Sequence, residues 1–152
     1  MDGDVLSVER VIPAAAPAIF ALLADPAKHP EIDGSGTVVK TKEGAERLQL
    51  GSVFGMDMRI GVPYSMVSTV IEFEPDRCIA WQSRPPGWSG RFGGGRIWRY
   101  ELEPVEGGTL VRESWDLSQD KQRRMLKLVA AARTRDAMTK TLERIEQITA
   151  QA

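Results

Sequence analysis

Hydrophobic and polar positions along the chain follow two periods in turn. Short β-branched or alternating segments recur at Val5–Ile12, Thr37–Thr41, about Gly51–Ile60, Tyr64–Glu74, Arg77–Ser83, Arg96–Glu103 and Thr109–Leu117, and each reads as a strand. After the first strand, Ala14–Ala24 is rich in helix formers, with Pro17 placed where a first turn accepts it. Ile19, Leu22 and Leu23 share one face of that helix, and a second short helix is expected from Pro26 to about Ile32. Asp33-Gly-Ser-Gly36 is a loop by composition, and a charged turn is expected over Lys42–Arg47. Glu74-Pro-Asp76 predicts a tight turn, Val105-Glu-Gly-Gly108 a hairpin, and Arg84–Gly95 a long flexible loop.

From Ser118 to Gln151 the chain has none of its 14 glycines or 9 prolines, and the period becomes helical. Leu126, Ala130, Thr134, Met138, Thr141, Leu142, Ile145 and Ile148 fall on one broad face, while Met125, Leu128, Val129 and Ala132 fall roughly opposite. The first turns are therefore apolar nearly all round. Either the helix kinks near Arg133–Asp136, or its first part is a lid or a contact surface. Clustered strands with helices segregated to the ends predict one α+β domain over residues 1–152: a curved antiparallel sheet of six to seven strands around a long C-terminal helix, with two short helices after the first strand. One helix cannot fill such a sheet, so a cavity between the two is expected.

Alternation predicts which side chains face that cavity. Trp98, Tyr100 and Leu102 share one side of their strand; Val111, Glu113, Trp115 and Leu117 share the more apolar side of the next. Glu113 is thereby carried inward. Buried charges are normally paired, so an ion pair with Arg59 or Arg96 is the first expectation, and a carboxyl with a raised pKa acting as general acid or base the alternative. His29 and Asp33 stand four apart and could form an acid–base pair, although Pro30 and Gly34 favour a turn in which Asp33 binds backbone amides. Met56, Met58 and Met66, with Met125 and Met138 on the helix, would suit either an adaptable binding surface or ordinary gap filling. Tyr64, Ser68 and Trp81 complete the candidate ligand-binding set, and Trp88 and Phe92 are candidate plugs in a loop gating the cavity. Gly90–Arg96 lacks the context and the Lys-Ser/Thr of a phosphate loop, and the arginines beside Trp88 and Trp98 are only a weak base-stacking signal.

Composition narrows the classes. A length of 152 residues with 42% hydrophobic and 27% charged residues suits a single globular domain. The net charge of −1 offers no overall field for nucleic acid or an anionic membrane. No apolar run reaches the roughly 18 residues of a membrane span, and the acidic Met-Asp-Gly-Asp start lacks a secretion-signal layout. Cys78 stands alone, which excludes an internal disulfide and suits a cytoplasmic setting. One histidine and one cysteine make a structural zinc site improbable, and no cofactor is expected. The basic cluster Arg123, Arg124, Lys127, Arg133 and Arg135 reads first as a solvated helix face.

Ile12–Pro26, His29–Gly36, Val70–Pro75, Ile79–Trp81, Gly107–Glu113 and Thr141–Glu146 together resemble the START/Bet v 1-like (SRPBCC) superfamily, in its polyketide cyclase/dehydrase-like branch. The resemblance spans nearly the whole chain and implies the helix-grip fold with a ligand cavity between sheet and long helix. The function expected first is binding of a hydrophobic small molecule, lipid-like or polycyclic, by a monomer or weak homodimer. A cyclase or dehydratase using the same cavity is the first alternative, with Glu113 and His29 as catalytic candidates and no diagnostic motif to settle it. An antitoxin-like module meeting a protein partner through the first turns of the C-terminal helix is the second.

Overall fold

The computed structural model describes residues 1, 3–41 and 46–151; of the charged turn expected at Lys42–Arg47, residues 42–45 lie outside these. Seven strands, β1 (Val5–Ile12), β2 (Val38–Thr41), β3 (Val53–Ile60), β4 (Val62–Glu74), β5 (Cys78–Arg84), β6 (Arg96–Val105) and β7 (Gly108–Asp116), form one sheet. Its order is β1-β7-β6-β5-β4-β3-β2, antiparallel throughout. Helices α1 (Ala16–Leu23) and α2 (His29–Ile32), with a 3-10 turn at Pro26–Lys28 between them, carry the chain from the β1 edge to the β2 edge. The strands then meander back until β7 pairs with β1. This is the helix-grip architecture, closed by α3 (Arg123–Val129) and α4 (Ala131–Ala150).

Local chemistry explains the punctuation. Pro17 stands in the first turn of α1, where no intrahelical partner for its missing N–H is needed. Asp25 Oδ1 accepts the Ala27 amide (3.0 Å) and starts the 3-10 turn. At the β6–β7 turn Val105 pairs with Gly108, whose φ is +150°; a Cβ there would lie 2.0 Å from the Ile12 carbonyl oxygen. Register shifts between Val38 and Lys40 and between Val70 and Glu72 mark bulges, which bend the sheet toward its helices.

The main core joins Ile12, Ile19, Phe20 and Leu23 to Ile79, Val111, Leu142 and Ile145. Helix α4 buries Met138, Thr141, Leu142 and Ile145, and its three apolar side chains there contribute about 1.5–3 kcal/mol each. It rests chiefly on β1, β7, α1 and α2. The helix therefore lies toward the β1 side, leaving space over the middle strands. Helix α3 buries no side chain fully.

The closing helix breaks at Ala130 (φ −119°, ψ −10°), before the Arg133–Asp136 stretch that one of the two alternatives named for a kink. No proline or glycine marks the place. Ala130 belongs to a second cluster with Leu6, Trp115, Leu117 and Met138, so packing against the sheet, not local propensity, sets the break.

The long loop also departs from expectation. Trp88 and Phe92 pack edge to face (centroids 5.4 Å apart, 82° between planes) and remain exposed, away from the cavity wall. The loop is instead tied to the segment before α3: Gln122 Nε2 donates to the Phe92 carbonyl (3.0 Å), and the Gly94 amide donates to Gln122 Oε1 (3.0 Å). A Cβ at Gly95 (φ +111°) would meet the Gln119 carbonyl oxygen at 2.4 Å, so this close approach requires glycine.

Candidate functional site

A cavity of about 680 Å³ lies between the sheet and the α2 and α4 helices, within the range that accommodates a drug-sized molecule. The strand registers assemble its wall. Tyr100 pairs with Glu113 and Trp98 with Trp115 across β6–β7, Trp81 with Trp98 across β5–β6, and Met56 with Met66 and Met58 with Tyr64 across β3–β4. Met138 faces them from α4, and His29 from α2. Of the ligand-binding candidates, the structure brings together Met56, Met58, Tyr64, Met66, Trp81, Trp98, Tyr100, Glu113, Trp115 and Met138. Ser68 stands outside the wall, buried and bonded to the Ser83 hydroxyl (2.7 Å). Ser83 lines the cavity in its place. The signal was present, because Ser83 stands two residues from Trp81 and so shares its face.

Glu113 has no arginine partner. The Tyr100 hydroxyl donates to its Oε1 at 2.6 Å, while Arg96 pairs with Asp120 (Nε–Oδ2 3.1 Å) and Arg59 is exposed at the cavity mouth. The inward expectation holds, and the arginine pair does not: Arg96 shares the cavity side of Trp98 and Tyr100, but its guanidinium is held by the buried Asp120. Burial pushes the Glu113 carboxyl up to about 8, with the Tyr100 hydrogen bond acting in the opposite direction. Near neutrality the carboxyl is mainly protonated, so Oε1 accepts from tyrosine while Oε2 is free to carry the proton. Burial also raises the Tyr100 hydroxyl well above its ordinary value.

His29 does not bond to Asp33. Its Nε2 donates to the Leu23 carbonyl (2.9 Å), which leaves Nδ1 as an acceptor. Its ring stacks on Trp81 (4.9 Å, 22°) and meets Phe54 edge on. Burial pushes its pKa down, so the imidazole is neutral. Asp33 takes the structural role: it accepts from the Ser35 and Val38 amides (3.1 and 2.9 Å). Beside it the Gly34 backbone lies directly on α4, its amide donating to Thr141 Oγ1 (2.9 Å), and a Cβ there would meet the Ala137 carbonyl oxygen at 2.3 Å.

Three polar atoms of the wall, His29 Nδ1, Glu113 Oε2 and Trp115 Nε1, are buried without a hydrogen-bond partner in the protein. Each such atom costs about 1–3 kcal/mol. Among the described residues only one other buried side-chain atom shares that condition, Arg10 Nε, whose guanidinium is bonded to Glu146 through Nη2. Among the described residues the unmatched buried polarity is thus concentrated in the wall of one apolar, aromatic cavity. Its mouth is polar, with Ser35, Arg59, Arg133, Asp136 and Lys140 exposed around it. No group of three or more His, Cys, Asp or Glu side chains suited to hold a metal occurs among the described residues.

Residues 5–148 match the family model described as polyketide cyclase/dehydrase and lipid transport. The chain belongs to this family. With it comes the START/Bet v 1-like superfamily, and the family description supports a ligand-binding role. The uncharacterized protein Rv0088 of Mycobacterium tuberculosis is 37% identical over 113 residues, covering 72% of this chain and 46% of that protein. The chain thus spans about half the length of the curated relatives it matches. Protein CV1439 from Chromobacterium violaceum superposes with a TM-score of 0.75 at 15% identity, covering 96% of both chains. The di-domain ARO/CYC StfQ of the steffimycin biosynthetic pathway superposes with a TM-score of 0.67 at 14% identity over 97% of this chain and 51% of its own. At these identities the two structures share the family's fold. Among the described residues no helix is long and apolar enough to cross a membrane.

Proposed function

We propose that this family member binds a hydrophobic, ring-bearing small molecule whose polar end lies against Glu113, Trp115 and His29. One observation carries the reading: three residues lining a single aromatic-walled cavity each hold a buried polar atom without a protein partner. Burying about 300 Å² of a guest's apolar surface yields about 7 kcal/mol. That is comparable with an association cost of about 4–15 kcal/mol. Apolar contact alone therefore leaves little net affinity, and the three polar anchors select the guest. A carbonyl oxygen suits the Trp115 N–H and the protonated Glu113 carboxyl, while a hydroxyl suits the His29 Nδ1 lone pair.

A second reading, a dehydratase or cyclase in the same cavity, draws on the protonation states of the same groups. A carboxyl held protonated near neutrality can give its proton to a leaving hydroxyl, and a neutral imidazole can take one from the carbon beside a carbonyl.

Native mass spectrometry with a panel of lipids and polycyclic phenols, read together with quenching of Trp98 and Trp115 fluorescence, tests both readings. A one-to-one complex that Ala137→Trp abolishes by filling the cavity is the expected result. Retention of no panel member, or binding that survives Ala137→Trp, overturns the cavity assignment. A product mass that disappears in Glu113→Gln while the complex persists selects the enzyme over the carrier.

A further inference from the structure

The surface of α3 and the adjoining loop is not explained by the cavity. Leu128 is 86% exposed and Trp88 74%, and Met125, Val129 and Phe92 are exposed with them. Gln122, which bonds to both Phe92 and Gly94, fixes the loop beside the start of α3. Met125 and Val129 stand three and seven residues on from Gln122, on the same side of the helix. These bonds place Phe92 beside the start of α3, while Leu128 projects from another side of the same helix.

The charge there is strongly one-sided. Lys121, Arg123, Arg124, Lys127, Arg133 and Arg135 fall within residues 121–135, a stretch without an acidic residue, in a chain whose net charge is −1. Only Lys127 has an ion-pair partner among the described residues, Asp4 at 3.1 Å. The preceding acid, Asp120, is buried against Arg96. The overall charge therefore conceals a basic region bearing aromatic and aliphatic side chains that stand clear of any groove.

We propose that α3 and residues 87–92 form a docking surface for an anionic lipid bilayer. Basic side chains meet lipid phosphates, and Trp88, Phe92, Leu128 and Val129 enter the interfacial layer. A protein partner would have to supply a pocket for each protruding side chain, whereas a fluid interface takes them at no cost in shape. In the same segment Leu126 and Ala130 line the cavity. One short segment thus carries side chains of both the exposed surface and the cavity wall. This goes beyond the cavity reading and does not depend on it.

The test is flotation of the full chain with vesicles of phosphatidylcholine alone and of phosphatidylcholine mixed with phosphatidylglycerol. Binding to the mixed vesicles only, reversed by salt, is expected. Each basic residue near such a surface contributes about five-fold, so Arg123→Gln/Arg124→Gln should lower partitioning about 25-fold. Leu128→Glu should abolish it, and the emission of the parent should shift to shorter wavelength where that of Trp88→Phe does not. These side chains are exposed, so an unaltered melting temperature certifies the variants. No flotation with mixed vesicles at low salt, or flotation indifferent to the arginine substitutions, overturns the proposal. So does self-association by light scattering that Leu128→Glu removes without any flotation, which would make the surface an interface between copies. Cavity-ligand quenching measured on the same variants should stay unchanged, so failure here leaves the cavity reading standing.

Discussion

Glu113 and Glu72 lie on opposite faces of one sheet and show what environment does to the same side chain. On the outer face Glu72 is gripped by Arg99, whose Nε and Nη2 donate at 3.0 and 2.6 Å, while Nη1 reaches Asp116 at 3.5 Å. The guanidinium hydrogen bonds hold the Glu72 carboxyl below its ordinary range. On the inner face Glu113 meets one tyrosine hydroxyl, is cut off from water and is pushed up to about 8. The outer carboxylate is matched by a cation and partly hydrated, so it stays ionised and has no proton to offer. The inner one keeps its proton at neutral pH and presents it to a cavity. A buried carboxyl with no cationic partner is therefore the better functional candidate of the two.

The largest effect should come from Glu113→Gln, which retains an acceptor for Tyr100 but cannot ionise. In the unfolded chain the carboxyl ionises above its ordinary value of 4.5, whereas in the folded protein it stays protonated to about 8. The folded state holds more protons across that window, so stability falls as pH rises from 4.5 and levels off above 8. At pH 9 the substitution should stabilise by up to about 5 kcal/mol. At pH 4 it should change stability by only about 1 kcal/mol. Urea unfolding at the two pH values measures this, and an equal change at both would erase the contrast with Glu72.

Tyr100→Phe sharpens the same contrast with a smaller effect. It strips Glu113 Oε1 of its donor and should cost about 1–3 kcal/mol. The tyrosine bond favours the carboxylate, so its loss should raise the Glu113 pKa further; a carbon-13 titration of the carboxyl that moved downward would contradict the assignment. The smallest effect is expected on the outer face. Arg99→Gln breaks a partly exposed pair and should cost about 1 kcal/mol or less, diminishing with salt, and should leave ligand binding in the cavity unchanged.

Much of this architecture was legible because strand alternation is a strict local rule. Trp98 and Tyr100, then Glu113 and Trp115, are separated by two residues on adjacent strands, so their common facing follows from sequence, and the hairpin at Glu106-Gly107 fixes their register. That register also sets Tyr100 opposite Glu113. The absence of an arginine beside Glu113 was not legible, because Arg96 is held by Asp120, a contact between residues distant in sequence. The basic run on α3 read as a solvated face for a similar reason, since residue types alone do not show that Trp88 and Phe92 lie beside it.

The chain by itself determined a sheet of six to seven strands with helices at its ends, and the inward side of the last two strands, because these depend on neighbours within a few residues. It marked Asp33–Gly36 as a loop, but the contact of Gly34 with α4 appears only in the fold. The tertiary structure alone decided the protonated state of Glu113, the helix break at Ala130 and the gathering of three unpartnered polar atoms in one cavity. Each of these depends on burial and on contacts between residues distant in sequence, and periodicity along the chain carries no record of either.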